Sequence, residues 1–326
     1  MAVGTTTNFN LGRNELITEA LRILRVISGQ QTASGDLITS CSTTLNLMLR
    51  AWQADGLHVW TAQNGCLFQV TGQATYNTSA DRFCDLDDLV ISALGADEAS
   101  GQTVLTLSST TGMAADDEIG ILLDDGTLQW TTIASVDSST QVTVDDALTG
   151  DASEDAVVYA FTTRLGRIVE INHDDSRIRN MTAATGTATQ YNEIPLFPLS
   201  RQEYNILSNK TNQGVTTQLY FQALRDSANF TLWPVPNNSI NLILFTYYRN
   251  LYDFDTPTDF ADAPVEWTRT FIWCLAAELG PRFGVPPDRL AEIVARANSM
   301  RDNLLGWDDD GYSIRMQPDF HGENPF

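Results

Sequence analysis

The chain is 326 residues long and 43% apolar, and its 41 acids against 19 bases give a formal charge of −22. That apolar content excludes wholesale disorder, and the length allows one large domain or two ordinary ones. A chain this acidic repels a phosphate backbone, which excludes tight wrapping of nucleic acid, and no run reaches the roughly 18–20 apolar residues of a membrane-spanning helix.

The opening residues, Met1-Ala2-Val3-Gly4-Thr5-Thr6-Thr7, show neither the basic nor the apolar region of a secretory signal. Helical period comes next. Leu16, Ile17, Ala20, Leu21 and Leu24 share one face, with a stop expected at Ser28-Gly29. After Ser34-Gly35-Asp36, a second helix carries Leu37, Cys41, Leu45, Met48 and Trp52 and ends at Asp55-Gly56. The short link predicts an antiparallel pair.

The middle changes character. From Gly101 to Phe161 the pattern alternates: Ile119, Ile121 and Leu123, then Leu128 and Trp130, then Val142 and Val144, then Val157, Tyr159 and Phe161. Asp124-Asp125-Gly126 reads as a hairpin turn. Between Phe83 and Thr163 stand 16 acids and no Lys or Arg, so 83–163 is expected to be an acidic β module, a small barrel or sandwich. Strand character continues through Ile240, Leu242, Leu244, Thr246 and Tyr248, while Trp233-Pro234-Val235-Pro236 excludes a central strand at that point.

Helices then return. Asp262-Ala263-Pro264 marks a start, Phe271, Ile272, Leu275, Ala276 and Leu279 a buried face, and Gly280-Pro281 a stop. A fourth helix after Pro286-Pro287-Asp288 places Leu290, Ile293, Val294, Ala297, Met300 and Leu304 on one side. The expected class is α+β: an antiparallel helical bundle body with a long inserted antiparallel β region. Its parts are 1–60, the first half of the body; 61–255, the β-rich insertion; 256–307, the second half; and 308–326, a C-terminal extension.

Chemical motifs are sparse. Cys41, Cys66, Cys84 and Cys274 are widely spaced and read as reduced, buried thiols, with neither a zinc site nor a disulfide framework. His58, His173 and His321 are too far apart in sequence to suggest a metal site. His173-Asp174-Asp175-Ser176 holds the residue types of a hydrolase triad, but neighbours in a polar loop do not form that geometry. Asp308-Asp309-Asp310-Gly311 fails as a calcium loop, having Tyr312 at the fifth position and Asp319 at the twelfth, and Asp85-Leu86-Asp87-Asp88 reads as a solvated acidic loop. No catalytic, cofactor or metal residue is assigned, so the chain reads as a non-enzyme. Arginine is concentrated late: Arg269, Arg289, Arg296 and Arg301 are candidates for a subunit interface with carboxylates on a neighbour, against intramolecular pairing as the simpler use.

Leu16-Ile17-Thr18-Glu19-Ala20-Leu21-Arg22-Ile23-Leu24 and Leu45-Asn46-Leu47-Met48-Leu49-Arg50-Ala51-Trp52-Gln53-Ala54-Asp55-Gly56-Leu57 together resemble the opening helices of head-to-tail adaptor proteins of short-tailed bacteriophages, also called tail accessory or packaged-DNA-stabilisation proteins. Trp233-Pro234-Val235-Pro236, Pro264-Val265-Glu266-Trp267 and Leu275-Ala276-Ala277-Glu278-Leu279 with Phe283-Gly284 extend the likeness through the second half. The resemblance implies a structural virion protein at the head-tail junction, made in the host cytoplasm. It would form a homo-oligomeric ring, a dodecamer in the family, that binds the portal protein and carries tail nozzle and tail fibre proteins. Such a ring extends the DNA channel, helps retain the packaged genome and lets double-stranded DNA pass without tight binding, with no membrane involved. Related adaptors reach the portal through C-terminal extensions. Here Tyr312, Ile314, Arg315, Met316, Phe320 and Phe326 are the candidate docking residues, the first alternating polar and apolar as an added strand would. The alternative functions are a tail-associated cell-wall hydrolase and a glycan- or receptor-binding tail protein using Trp130, Tyr159, Tyr220, Phe221 and Trp233.

Overall fold

The computed structural model describes residues 10–29, 31–54, 59–181 and 192–305, and the fold is mixed α+β. Two helices open it, α1 (Arg13–Ile23) and α2 (Gly35–Ala54). Strands follow: β1 (Ala62–Phe68), β2 (Thr75–Asn77), β3 (Phe83–Asp85), β4 (Val90–Ala93), β5 (Val104–Thr106) and β6 (Glu118–Leu122). Next come β7 (Leu128–Ser138), β8 (Gln141–Val144), β9 (Val157–Phe161), β10 (Glu170–Asn180), β11 (Asn192–Pro195) and β12 (Phe197–Pro198). A short helix, α3 (Arg201–Ile206), precedes β13 (Gln213–Gly214), β14 (Gln218–Ala223), β15 (Ala228–Trp233), β16 (Val235–Pro236) and β17 (Leu242–Tyr248). Helices α4 (Thr268–Leu279) and α5 (Pro287–Leu305) close the described chain. The chain divides into two compact units, Met1–Trp60 with Leu251–Phe326, and Thr61–Asn250.

In the first unit α4 touches α1, α2 and α5, and it is accordingly apolar on most sides, burying Thr270, Phe271, Cys274, Leu275, Ala276 and Leu279. Against it α1 buries Leu16, Ile17, Ala20 and Leu21, and α2 buries Cys41, Leu45, Met48, Leu49 and Trp52. Trp52 stacks on Phe271 with ring centres 5.1 Å apart, and Trp267 lies 6.0 Å from Trp52. The first helix stops earlier than Ser28-Gly29. Arg25 takes a left-handed φ of 60°, the Val26 amide donates to the Leu21 carbonyl and the Arg25 amide to that of Arg22, a Schellman closure that needed no glycine. On α5 only Ile293 and Ala297 are buried; Val294, expected on the apolar side, is exposed.

Because this core centres on one aromatic stack, Phe271→Ala should cost about 3–5 kcal/mol, the usual range for emptying a buried aromatic site. Urea unfolding followed by helical circular dichroism measures it, and a loss below about 1 kcal/mol would contradict the packing described.

The second unit has three layers. The middle layer is a five-stranded sheet in the order β11-β10-β17-β1-β3. A four-stranded sheet, β12-β14-β15-β2, covers one face through Leu219, Phe230 and Leu232 packed on Leu67, Phe83, Ile243 and Phe245. The third layer is a six-stranded sheet, β4-β9-β6-β7-β8-β5, curled into a half-barrel whose rims meet where the Gly95 amide donates to the Thr106 carbonyl and the Ser108 amide to that of Ala93. Leu105, Ile119, Ile121, Val142, Val158 and Ala160 fill its interior. Its outer side sends Trp130, Val157, Tyr159 and Phe161 against Cys66, Phe68, Leu242 and Leu244 of the middle sheet. Phe68 lies 4.7 Å from Trp130 and 5.7 Å from Phe161, centre to centre.

Three sequence expectations change here. The alternation of Leu242 and Leu244 marks one face of β17, yet Ile243, Phe245 and Tyr247 on the other face are buried too, because β17 lies between two layers. The half-barrel starts at Val90 rather than Phe83, since β3 pairs with β1 in the middle sheet. That pairing sets Cys66 directly opposite Cys84, Cα atoms 5.4 Å apart, and the two form a disulfide where reduced thiols were expected. The hairpin at Asp124-Asp125-Gly126 forms between β6 and β7, with Gly126 at φ 83° and the Leu123 amide donating to the Thr127 carbonyl.

Two glycines make room for rings. A Cβ on Gly120 would sit 2.9 Å from the ring of its cross-strand partner Trp130, and one on Gly65 would sit 2.8 Å from its partner Phe245. The rings lie over bare backbone and so fill space that the missing side chains leave.

Entry to and exit from the half-barrel are tied together. Asp88 accepts from the Thr162 and Thr163 amides at 3.0 and 2.8 Å, and the Leu165 amide donates to the Phe83 carbonyl. Arg82 and Arg164, which bracket the base-free stretch, both bind Glu118 on β6; the Arg82 Nε–Glu118 Oε2 distance is 3.2 Å, and the Glu118 side chain is only 14% exposed. Sheltered charge-assisted bonds of this kind contribute more than surface pairs. Glu118→Gln should therefore lower stability by about 1–3 kcal/mol in denaturant titration, whereas a change at the exposed Asp116 should register within about 0.5 kcal/mol.

Candidate functional site

Chemistry was sought first at the His173–Ser176 run. It lies not in a loop but in β10, where the register against β17 shifts between Asn172 and Arg177. The extra residues push Asp175, Ser176 and Arg177 to the wall of a shallow depression of about 280 Å³ shared with Glu193 and Pro195 of β11. Ser176 is buried and its Oγ has no hydrogen-bond partner. Asp175 accepts from the Thr246 hydroxyl at 3.1 Å. Glu193 is held from two sides, by Arg177 Nε at 2.7 Å and Arg179 Nη2 at 2.8 Å. A carboxylate gripped by two guanidiniums suits pinning β11 to β10 better than moving a proton.

The free thiols are equally unsuited to nucleophilic work. Burial pushes the Cys274 thiol up to about 11, with Arg301 opposing and Glu278 adding a little, and burial raises Cys41 as well against the pull of Arg282. A thiolate is the reactive form, so both are inert at neutral pH. Among the described residues no group of three or more His, Cys, Asp or Glu is placed to hold a metal ion. Asp85 and Asp88, from the acidic run once weighed for calcium, are used internally: Asp85 accepts from the Asp87 amide and the Tyr247 hydroxyl, Asp88 as described above. No described helix is long and apolar enough to cross a membrane.

What the second unit does present is two contrasting surfaces. At the end of the half-barrel away from the Arg82–Glu118–Arg164 clamp, three loops converge and expose Asp97, Asp124, Asp151, Glu154 and Asp155. Several of these carboxylates also hold the loops: Asp97 accepts from the Glu154 amide, Asp124 from Ser153 and Asp151 from Ser100, all at 2.8–2.9 Å. Beside them the Thr127 hydroxyl and amide hold the Asp125 carboxyl below its usual range.

The other surface is apolar. Strand β11 is the described edge of the middle sheet and β12 that of the four-stranded sheet, and Ile194 and Phe197 on them are 47% and 65% exposed. The chain steps from one edge to the other through the Leu196 amide, which donates to the Ser176 carbonyl, and the Phe197 amide, which donates to that of Thr217. It then turns into α3, where Ser200 and Glu203 cap each other reciprocally and hold the Glu203 carboxyl low. Tyr204 stacks on Tyr220 of β14 at 5.7 Å, and Lys210 lies 5.4 Å above the Tyr204 ring. Ile206 at 74% and Val215 at 49% complete the exposed apolar set. The sequence analysis missed this lip, because an exposed Phe or Ile reads in sequence as core.

The four late arginines are placed as follows. Arg289 reaches from α5 to the Ile23 carbonyl at the end of α1, at 2.5 Å, and Arg296 lies 4.5 Å over the Trp273 ring. Arg301 is half-buried near Cys274, and Arg269 is exposed at the start of α4. His58, His321 and the six candidate docking residues, Tyr312, Ile314, Arg315, Met316, Phe320 and Phe326, lie outside the described residues.

The cysteine arrangement predicts two labelling results. Alkylation in denaturant without reductant should modify two thiols, Cys41 and Cys274, and prior reduction should raise this to four by mass. A raised folded-state thiol stabilises the fold below the unfolded pKa of about 8.5 and loses that contribution as pH climbs toward 11. Alkylation of the native protein at pH 8 should accordingly be negligible and should accelerate over that window.

No family model matches the chain, and a search of curated proteins finds no match either.

Proposed function

We propose that the chain is a structural virion protein, a head-to-tail adaptor whose ring joins the portal to the tail and extends the DNA channel. The observation that carries this reading is the discontinuous helical unit. Its α1–α2 and α4–α5 segments come from opposite ends of the described chain, share one core, and leave the β-layered unit as an insertion between Trp60 and Leu251. Of the motifs that resemble phage adaptors, those around Leu16–Leu24, Leu45–Ala54 and Leu275–Leu279 fall on those helices, and Trp233-Pro234-Val235-Pro236 falls in the inserted unit. A helical frame suits the body of a ring, and an inserted module suits a peripheral platform for nozzle and fibre proteins.

Charge supports the same use. A subunit at −22, repeated around a channel, offers DNA no phosphate-gripping surface, so the genome can be packaged and ejected past it. Three base-free acidic loops of the half-barrel add to that field, and beside them Thr127 holds the Asp125 carboxyl below its usual range.

The test is assembly. Purified full-length protein mixed with portal rings of its phage should co-sediment with them and appear in negative stain as a second ring stacked coaxially on the portal. Protein that neither co-sediments nor adds density to the portal would overturn the adaptor reading.

A further inference from the structure

The lip and the acidic rim are unlike surfaces carried by one chain, and each lacks a partner of its own kind. Along the lip, 192–217, stand two bases, Arg201 and Lys210, and two acids that are already engaged, Glu193 by Arg177 and Arg179 and Glu203 by the Ser200 amide, whereas 83–163 has 16 acids and no base. Lys210 is the only lysine in the chain. Among the described residues no ion pair joins Arg201 or Lys210 to a half-barrel acid, and Lys210 donates to the Asn205 carbonyl.

The lip also has the two features that natural surfaces avoid unless something covers them. It joins strands that are sheet edges among the described residues, and it exposes four large apolar side chains within a short stretch of chain, Ile194, Phe197, Ile206 and Val215. A soluble partner that buries this patch must bring negative charge to meet the bases around it. Among the described residues such charge is gathered on the rim of Asp97, Asp124, Asp151, Glu154 and Asp155.

We propose that the lip of β11, β12 and α3 in one copy docks on the acidic half-barrel rim of a second copy. Because the two surfaces differ, the contact is head-to-tail, and repetition of it closes a ring or runs on as a filament. Ile194, Phe197 and Ile206 supply the buried centre, and Arg201 and Lys210 set orientation and attract the rim from a distance. The inference rests on the ring reading above and names the contact that would build the ring.

The experiment uses the full chain without portal. Sedimentation velocity should show concentration-dependent association that weakens about tenfold or more between about 0.1 M and 1 M salt, because the steering charges are screened. Phe197→Asp/Ile206→Asp and, separately, Arg201→Glu/Lys210→Glu should each be monomeric where the parent associates, with unchanged circular dichroism. Glu154→Lys/Asp155→Asn, chosen because these two side chains bond no loop amide, should weaken association likewise. Mixing it with Arg201→Glu/Lys210→Glu should restore pairwise association, since the intact lip of the rim variant then meets the intact rim of the lip variant, whereas neither variant associates alone.

A parent protein that stays monomeric at every concentration overturns the contact. So does association that ignores salt and both lip variants, and so does a lip variant that loses portal capture while self-association persists. The portal experiment decides the adaptor reading by itself: rings on the portal with an unaffected lip leave that reading standing and remove only this contact.

Discussion

Burial of β17 on both faces is the constraint on which the second unit depends. Leu242 and Leu244 are committed to the half-barrel, and Ile243, Phe245 and Tyr247 to the four-stranded sheet. Burying that much apolar surface stabilises at roughly 25 cal/mol per Å² and leaves β17 no solvated face from Leu242 to Phe245. A one-residue slip of β17 against β1 would exchange the two sets and mismatch both cores at once, so the register is specified twice. Strand β9 repeats the device, with Val158 and Ala160 inside the half-barrel and Val157, Tyr159 and Phe161 outside it. The half-barrel is therefore fused to the middle sheet through aromatic packing, and the disulfide and the Glu118 clamp secure the two chain crossings that lead into it.

The helical unit follows a different logic. Its core has one central helix, and beside the exposed ion pairs Arg22–Glu19 and Arg50–Asp253 its arginines serve backbone carbonyls and aromatic rings. Arg289 satisfies a carbonyl that α1 leaves open at its C-terminus, and Arg296 covers a half-buried indole. Arg282 does the same for Ser40 on α2, donating to its carbonyl at 3.3 Å and to its hydroxyl. Arginine suits this work because its fork reaches past an apolar stem.

Local pattern was legible in the sequence, and whatever depended on distant partners was not. The apolar period of Leu16, Ile17, Ala20 and Leu21 and of Cys41, Leu45, Met48 and Trp52 located α1 and α2, since a helix buries one stripe whatever lies opposite. Alternation located β6, β8, β9 and β17 and the turn at Gly126. It could not show that the second face of β9 and β17 was also covered, because the covering residues lie tens of positions away. Cys66 and Cys84 are 18 residues apart with nothing local to pair them; only the β1–β3 register does so. The base-free stretch was visible, and its two flanking arginines could have been noticed, but their common partner Glu118 could not. For the surfaces, composition located the acidic module, whereas the apolar lip needed exposure, a property that single residues do not carry.

The rim loops combine two properties that are usually confounded. Each of Asp97, Asp124, Asp125 and Asp151 supplies an acceptor oxygen to a loop amide, and each also carries a charge. The loop requires only the acceptor. Asparagine offers the same oxygen in nearly the same place without the charge. The half-barrel thus contains a ladder along which its field can be lowered one step at a time at constant shape, with the amide of every loop still satisfied. Few acidic surfaces permit that separation, because an exposed carboxylate normally holds nothing in place.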